Sequence, residues 1–438
     1  MKLLNFKPII KNDFEEDKNH FSLFWKECVE FNKTISKRED RKELRKYIEN
    51  SKKIFLEEYS QHIYNLITNN QKKYIHIDEL INLANNYVPF LNPSKEELHN
   101  EDKKMLKDKD GIETDQGLFL SSILAHQKEG EHLCHTMLLP SKLALEKEEE
   151  FNKNKKVQFD GASVEKFGKY VVVTLENEEY LNAEDERTLY PLEAAIDLAI
   201  LDKDSEICVL RGEKNKHPKY ANKRTFGAGI NLTHLYQGKI SFLWFIKRDM
   251  GAVNKVFRGI ATKDHNPENP LYPLQEKPWI ATLDTFAIGG GCQYLLVMDH
   301  IMAEDGMYMT LPARKEGFIP GMANMRLWRF TGDRIARQAI QNGLTIHSNS
   351  PEGKLICDEI VEKGNMDKKL LETIDAYTNS GVVGSASNRR AFRIGQEPLD
   401  TFRKYMSAYC HDQAYCHFSN ALIKNLEHYW NAASRPVK

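Results

Sequence analysis

The stretch from residue 277 to residue 300 constrains the fold of this chain more than any other segment. It reads KPWIATLDTFAIGGGCQYLLVMDH. Its first apolar run, residues 278–283, lacks polar alternation, which predicts a strand covered on both faces. Three glycines follow, and an apolar helix is expected from Cys292. Glycines before a helix let a ligand approach unpaired backbone N–H groups, although a tight turn alone would also explain them.

The composition of the chain excludes several broad classes of protein. The 438 residues carry 62 basic and 63 acidic side chains, so no net charge favours binding to nucleic acid or to a membrane surface. No apolar run reaches the ~18–20 residues that a membrane span needs, and the N-terminus lacks an apolar signal core. Seven scattered cysteines are typical of reduced thiols, so we expect a cytoplasmic protein.

The sequence pattern divides the chain into three parts. Residues 1–155 are poor in glycine and repeat apolar side chains at helical spacing, which predicts an all-helical domain. Residues 156–345 alternate strand-like and helix-like segments, which predicts an α/β core. The expected strands are residues 170–175, 206–211 and 279–283, and the expected helices are residues 190–202, 240–258, 292–298 and 333–342. Residues 346–438 are expected to form a C-terminal helical region.

Two groups of His and Cys residues raise the question of a metal site. The groups are His126, His132, Cys134 and His135, and then Cys410, His411, Cys416 and His417. Neither spacing matches a standard zinc pattern, so packed or solvated helix residues are the better interpretation. We therefore predict no metal site.

Two loops of the core place small residues just before a helix or turn. Residues 226–232 read FGAGINL and residues 287–293 read AIGGGCQ. Two such loops can direct two backbone N–H donors at one oxygen, which is how an oxyanion hole is built. A third segment, GFIPG at residues 317–321, follows them.

In this order, the three segments resemble the crotonase (enoyl-CoA hydratase/isomerase) superfamily. The resemblance implies a ββα-superhelix core, preceded by an all-helical N-terminal domain and followed by C-terminal helices that form a trimer or hexamer. It also implies that the backbone N–H groups of Ile230 and Gly290 bind the oxygen of an acyl-CoA thioester and stabilise its enolate. The two glutamates of an ordinary hydratase are replaced by Gln293 and Ala313. Because adding water needs a positioned acid or base, hydration would require another carboxylate, from Glu316 or Glu184.

Longer segments narrow the resemblance to one branch of the superfamily. These are residues 217–241, 277–293 and 316–332, and they are similar to cofactor-independent dioxygenases of antibiotic biosynthesis that act on (3,5-dihydroxyphenyl)acetyl-CoA. In that branch O2 cleaves the thioester and oxidises the adjacent carbon, without metal or flavin, to give an arylglyoxylate and free CoA. The implied partners are therefore an acyl-CoA and O2, with no cofactor. An enoyl-CoA hydratase or isomerase, and a catalytically silent acyl-CoA-binding protein, remain alternatives.

The resemblance also assigns candidate site residues. The catalytic candidates are Ile230, Gly290, Gln293, Glu184 and Arg248. Glu184 and Arg248 would meet the ring hydroxyls of the substrate, although the adjacent Lys247 leaves the arginine uncertain by one position. The candidates for binding the substrate or CoA are His217, Pro218, Lys219, Tyr220, Ala228, Gly229, Asn231, Gly289, Ile319, Pro320, Gly321 and Asn324.

Two of these groups have expected roles of their own. Ile319, Pro320 and Met322, with Ile230, would wall an apolar site for O2. The basic loop at residues 217–224 could pair with CoA phosphates and stack Tyr220 on the adenine. A solvated basic loop explains the same residues without a ligand.

Overall fold

The computed structural model describes residues 8–379 and 382–435. The described part of residues 8–155 forms seven α-helices: α1 (Phe14–Asn32), α2 (Arg38–Ile67), α3 (Ile77–Tyr87), α4 (Lys95–Asp102), α5 (Thr114–Ala125), α6 (Gln127–Met137) and α7 (Lys142–Asn154). Helix α4 begins after Ser94, which forms a reciprocal capping box with Glu97. The helical character predicted for this part of the chain is confirmed.

Ten strands form the α/β part of the described chain. They are β1 (Lys156–Gln158), β2 (Ala162–Phe167), β3 (Tyr170–Leu175), β4 (Ile207–Gly212), β5 (Trp279–Leu283), β6 (Phe286–Ile288), β7 (His300–Glu304), β8 (Tyr308–Thr310), β9 (Ile346–His347) and β10 (Glu359–Val361). The larger sheet has the order β1-β2-β3-β4-β5-β7-β10, and the smaller has the order β6-β8-β9. Strands β1 to β3 pair antiparallel, whereas the larger sheet is parallel from β3 to β10.

The remaining described helices surround and follow these sheets. They are α8 (Glu186–Leu201), α9 (Leu232–Tyr236), α10 (Phe242–Arg248), α11 (Asn254–Arg258), α12 (Gly290–Leu295), α13 (Ala313–Glu316), α14 (Ala323–Arg326), α15 (Trp328–Asn342), α16 (Met366–Asn379), α17 (Val382–Gln396), α18 (Leu399–His417) and α19 (Asn420–Trp430). Helix α8 packs against β2 and β3. Apolar residues of α16, including Leu370, cover the opposite face through Val172, Val209 and Ile280. Every residue of β5 is buried, as its unbroken apolar run predicts.

Three differences from the sequence prediction affect the site. The helix expected over residues 240–258 contains a π-helical segment, Asp249–Val253, between α10 and α11. Helix α12 begins at Gly290, two residues earlier than expected, so two of the three glycines belong to its first turn. The larger sheet also continues beyond residue 345, because β10 joins its edge beside β7. The exact domain boundaries stay a prediction.

The C-terminal helix α18 joins the N-terminal helices to the core. It packs along α5, closely enough at Gly117 that a Cβ there would lie 2.6 Å from the Ala414 Cβ. Ser407 Oγ also donates to the carbonyl oxygen of Ser121 at 2.8 Å. From the N-terminal part, Glu113 Oε2 accepts the backbone N–H of Phe242 at 2.7 Å, at the start of α10.

The His and Cys groups have ordinary structural contacts. His132 Nδ1 lies 2.7 Å from the Tyr64 hydroxyl, and His135 Nε2 lies 2.6 Å from the carbonyl oxygen of Thr262. All seven cysteines are free thiols. Across the described ranges, no cluster of three His, Cys, Asp or Glu side chains is arranged to hold a metal ion. No described helix is both long enough and apolar enough to span a membrane.

Candidate active site

The two glycine loops lie directly against each other. Gly229 has φ +79°, and a Cβ on it would come within 3.3 Å of the backbone nitrogen of Gly290. Ile288 N–H donates to the carbonyl oxygen of Gly227 at 2.9 Å, which ties the second loop to the first. Each of these two residue pairs is 61 positions apart in the sequence, with helices α9 to α11 and strand β5 between the loops. Their meeting is what the sequence predicts for a two-donor site.

Each loop presents one unpaired backbone donor. Glu184 N–H donates to the Gly229 carbonyl oxygen, and Asn231 N–H donates to the Glu184 carbonyl oxygen, both at 2.7 Å. This parallel bridge turns the N–H of Ile230 to the other side, away from Glu184. Gly290 is the first residue of α12, so its N–H has no acceptor within the helix. Ile230 and Gly290 line the same cavity, where their N–H groups can receive one oxyanion.

The space around α12 requires glycine at two of its first positions. A Cβ on Gly290 would lie 2.6 Å from Glu184 Oε1 and 2.9 Å from Arg248 Nη2. A Cβ on Gly291 would lie 2.8 Å from the carbonyl oxygen of Gly227. The first contact shows that a buried ion pair is stacked behind the proposed oxyanion donor.

Arg248 is the centre of that buried polar cluster. Its Nε and Nη2 donate to the two carboxylate oxygens of Glu184, both at 2.8 Å. Nη2 also donates to the carbonyl oxygen of Gly290 at 2.8 Å. Nη1 donates to Gln293 Oε1 at 2.6 Å and to Asp249 Oδ1 at 3.0 Å. These five bonds match the five N–H groups of a guanidinium, so protein acceptors engage all of them.

The charge of Arg248 is held firmly by its partners. Burial favours the neutral guanidine, but the carboxylate of Glu184 outweighs this and raises the pKa of Arg248 above its usual value. The ring of Tyr294 also lies under the guanidinium, 4.6 Å from its centroid. A permanently charged, fully bonded arginine is suited to fixing Glu184, Gln293 and Gly290 in place.

The π-helical segment determines which side chains of this helix reach the cavity. Arg248 ends α10 and Asp249 begins the wider π turn, and both line the cavity. Lys247 lies on the opposite side, where its Nζ contacts Asp78 Oδ1 at 3.2 Å and the Tyr190 hydroxyl at 2.8 Å. Of these two adjacent basic residues, Arg248 lines the cavity and Lys247 does not, and the role of Arg248 stays a prediction. Single π turns are frequent at functional sites of helices.

Asp249 brings a carboxyl group to the cavity that the sequence argument did not select. Its Oδ2 occupies the space beside Gly321, where a Cβ would lie only 2.0 Å away. Burial raises the pKa of Asp249 to about 6, although the Arg248 guanidinium opposes the shift. Gly321 thus contributes room for this carboxyl group and does not itself line the cavity.

The acyl cavity, as we call it, has a mixed lining. Its apolar and aromatic wall comprises Ile230, Trp244, Phe245, Leu311, Pro312, Ala313, Phe318, Ile319 and Pro320. Its polar groups are Arg248, Asp249, Gln293, Glu316 and Tyr409. The Phe245 and Phe318 rings meet edge to face, with centroids 5.8 Å apart. Such a lining can hold an aromatic ring that carries a few polar substituents.

A second and larger space, the outer channel, adjoins the acyl cavity. Its volume is about 580 Å³, and Ile230, Pro312 and Glu316 line both spaces. Of the predicted binding residues, His217, Tyr220, Ala228 and Asn231 line the channel. Lys315 and Arg435, which the sequence argument did not select, add cationic groups there. A long, anionic ligand could therefore lie in the channel with its reacting end at Ile230.

Of the remaining predicted residues, one lines the acyl cavity, and the others lie outside both spaces or in supporting positions. Gly289 lines the acyl cavity, whereas Glu184 is buried behind Gly290 and does not line it. Pro218 and Lys219 are outside the lining, and the Lys219 Nζ lies over the Tyr220 ring. Asn324 Oδ1 accepts the Tyr405 hydroxyl at 2.7 Å. A direct contact of Glu184 with a substrate ring stays a prediction.

Gln293 has a defined orientation. Because Arg248 can only donate, the amide oxygen of Gln293 must face it, and the amide NH2 is left as a donor. Gln293 is on the cavity wall, so it offers a hydrogen bond but no proton acceptor strong enough to act as a base. Ala313, which the sequence analysis expects to replace the second hydratase glutamate, is also on the wall.

Comparisons with known proteins agree with this geometry. The model of the enoyl-CoA hydratase/isomerase family matches residues 168–397. The (3,5-dihydroxyphenyl)acetyl-CoA 1,2-dioxygenase of Amycolatopsis orientalis is 39% identical over 361 residues, 82% of this chain and 82% of the relative. The short-chain-enoyl-CoA hydratase of Clostridium acetobutylicum is 25% identical over 250 residues, 56% of this chain and 86% of the relative.

Two solved structures show the same fold at low identity. An enoyl-CoA hydratase from Mycobacterium avium subsp. paratuberculosis K-10 matches with a TM-score of 0.51 and 13% identity, covering 64% of this chain and 100% of its own. An enoyl-CoA hydratase/isomerase from Xanthobacter autotrophicus Py2 matches with a TM-score of 0.51 and 19% identity, with the same coverage of 64% and 100%. The predicted crotonase-like core with helices before and after it is confirmed. The matched family model and the long relative together show that this chain belongs to the enoyl-CoA hydratase/isomerase (crotonase) family of enzymes.

Proposed function

We propose that this protein is a cofactor-independent dioxygenase that converts an arylacetyl-CoA, with O2, into an arylglyoxylate and free CoA. The substrate that we propose is (3,5-dihydroxyphenyl)acetyl-CoA, because a relative that acts on it is 39% identical over most of both chains. The observation that carries the proposal is the make-up of the acyl cavity. It combines two free N–H donors and an aromatic wall with glutamine and alanine at the positions of the hydratase glutamates.

The cavity supports enolate formation. An arylacetyl thioester has an acidic α-carbon, because its carbanion is delocalised into both the carbonyl group and the ring. With the carbonyl oxygen between Ile230 N–H and Gly290 N–H, the enolate is stabilised further. Each such donor is typically worth ~2.7–4 kcal/mol in the transition state.

O2 can then react with the enolate without a redox centre. The electron-rich enolate gives one electron to O2, and the radical pair combines to a peroxide at the α-carbon. Attack of the peroxide on the thioester carbonyl expels CoA, and loss of the second α-hydrogen as a proton breaks the O–O bond. One oxygen atom ends in the ketone and the other in the carboxylate. The apolar wall formed by Ile230, Ile319 and Pro320 suits O2 and excludes competing water.

Recognition of the substrate ring requires polar groups on the wall of the acyl cavity. Asp249, Gln293 and Tyr409 lie on the wall there and can bond to ring hydroxyls. Glu184 would support them through Arg248 and not by direct contact in the geometry described above. In the outer channel, His217 and Tyr220 are placed to meet the nucleotide part of CoA, and Lys315 and Arg435 its phosphates.

Oxygen consumption tests the proposal directly. The protein is mixed with (3,5-dihydroxyphenyl)acetyl-CoA under argon, air is then admitted, and O2 uptake is followed with an electrode and the products by mass spectrometry. We expect one O2 consumed per CoA released, with both oxygen atoms of 18O2 in the arylglyoxylate. No O2 uptake with this thioester would contradict the proposal.

A hydratase or isomerase is the second candidate, and one observation favours keeping it. Glu316 places a carboxyl group on the wall of the acyl cavity, where it could move a proton. Turnover of an enoyl-CoA under argon would support this candidate. A silent acyl-CoA-binding protein would instead bind CoA thioesters in calorimetry and form no product under air or argon.

A further inference from the structure

Two carboxyl groups line the acyl cavity among the described residues, and they differ in their surroundings. Asp249 Oδ1 is bonded to Arg248 at 3.0 Å. Glu316 has no hydrogen-bond or ion-pair partner within the described chain, and its altered ionisation results from burial alone. A carboxylate already paired with a guanidinium is a weak proton acceptor, whereas an unpaired one in an apolar site is a stronger one.

Glu316 is also distinguished by its position between the two spaces. With Ile230 and Pro312, it lines both the acyl cavity and the outer channel, so it lies where the two spaces join. Ile230 carries one of the two oxyanion donors, so the thioester carbonyl belongs at this junction. The α-carbon is one bond away from that carbonyl, on the side of the acyl cavity.

Local structure fixes the backbone that carries this side chain. Glu316 is the last residue of α13, and Gly317 ends the helix with φ +93°. Against this turn pack Asn425 and Leu422 of α19, which a Cβ on Gly317 would meet at 3.0 and 3.4 Å. The side chain as a whole is half-buried.

We propose that Glu316 is the base that removes the α-proton of the bound arylacetyl-CoA. This assignment rests on the function proposed above. The carboxylate oxygen forms an O–H bond with the α-hydrogen, and the electron pair of the C–H bond becomes the C=C bond of the enolate. The carbonyl π pair moves to the oxygen held by Ile230 and Gly290. The later departure of CoA as a thiolate, at the same junction, provides an acceptor for the proton.

The ionisation of Glu316 fits this role. Burial raises the pKa of its carboxyl to about 8. A base whose pKa lies near the working pH combines a useful deprotonated fraction with a strong affinity for the proton. The hydratase glutamate is absent three positions earlier, at Ala313, so the carboxylate has a different approach to the substrate from that of a hydratase.

Hydrogen exchange measures this step without O2. The protein is incubated with (3,5-dihydroxyphenyl)acetyl-CoA in D2O under argon, and deuterium at the α-carbon is followed by NMR. We expect exchange by the wild type and a loss of about 100-fold or more in Glu316→Gln, the range typical of a positioned base. Binding of CoA, measured by calorimetry, should be unchanged, and formate should partly restore exchange in Glu316→Ala.

Two further variants make the outcome specific. Arg314→Gln changes an exposed residue of the same short helix and should exchange as fast as the wild type. Asp249→Asn tests the other cavity carboxyl group. Wild-type exchange by Glu316→Gln, or loss of exchange in Asp249→Asn alone, would overturn the assignment.

The same experiment separates the base from the dioxygenase reaction. If the wild type exchanges the α-hydrogens but consumes no O2, the proposed function fails and the assignment of Glu316 stands. If O2 uptake is present in the wild type and undiminished in Glu316→Gln, only the assignment fails. If the wild type shows neither exchange nor O2 uptake, both fail together.

Discussion

Arg248→Lys is the substitution whose effect the structure defines most closely. The guanidinium makes five hydrogen bonds to four groups: Glu184, Gly290, Gln293 and Asp249. A lysine has three donors, so at least two of these bonds are lost even if its ammonium reaches the same place. Each buried acceptor left without a partner costs ~1–3 kcal/mol, which gives a total of roughly 2–6 kcal/mol. The residue that carries the second oxyanion donor loses its anchor at the same time.

The free energy of unfolding and O2 uptake measure these two effects separately. Urea unfolding should show the loss in Arg248→Lys, and kcat should fall even where the variant is fully folded. Lys247→Arg is the matched control, because the neighbouring Lys247 contacts Asp78 and Tyr190 outside the cavity. It should keep the wild-type kcat/KM. If Arg248→Lys had the stability and the kcat of the wild type, the guanidinium would not be organising the site.

Two further predictions follow from buried contacts. In Gly290→Ala the added methyl group would clash with Glu184 Oε1, which lies 2.6 Å from the Cβ position. The clash would displace the backbone N–H of residue 290, which should lower kcat by about 100- to 1000-fold. A wild-type kcat would refute the assignment of this N–H as an oxyanion donor. The second prediction concerns Glu397, whose carboxylate accepts hydrogen bonds from Arg258, Arg326 and Arg329. Burial of Glu397 opposes its ionisation, but the arginines, led by Arg326, lower its pKa to about 2. Because the folded-state pKa is the lower one, this stabilisation is complete above the unfolded value and is lost as the pH falls toward 2. The stability difference between wild type and Glu397→Gln should therefore shrink by on the order of 3 kcal/mol from pH 6 to pH 2, and a difference that does not change with pH would argue against it.

The sequence predicted the elements whose evidence is local. The strands expected at residues 170–175 and 279–283 are confirmed to the residue, as β3 and β5. Periodic apolar side chains and unbroken apolar runs are sufficient there, because burial on one face or on two determines the pattern. Strands of two or three residues, such as β9 and β10, carry no such periodicity, and the sequence argument missed them.

The sequence predicted the two glycine loops of the site, but it missed some of the side chains that line the cavity. Gly229 and Gly290 could be recognised because close approach of two loops leaves room for glycine alone. Asp249 was missed because a π turn cannot be read from helical periodicity, and this turn brings its side chain into the cavity beside Arg248. Tyr409 was missed because it arrives on α18, 116 positions after Gln293, with no motif around it.

The close packing of α18 on α5 at Gly117 has a consequence for how this protein unfolds. One helix carries Tyr409 into the acyl cavity and holds the next residue, Cys410, and Ala414, one turn further on, against the N-terminal helix α5. Glu113 of the N-terminal part also caps the helix that bears Arg248. The helical part and the cavity should therefore lose their protection from hydrogen exchange together, as one cooperative unit, despite the change of sequence pattern near residue 155.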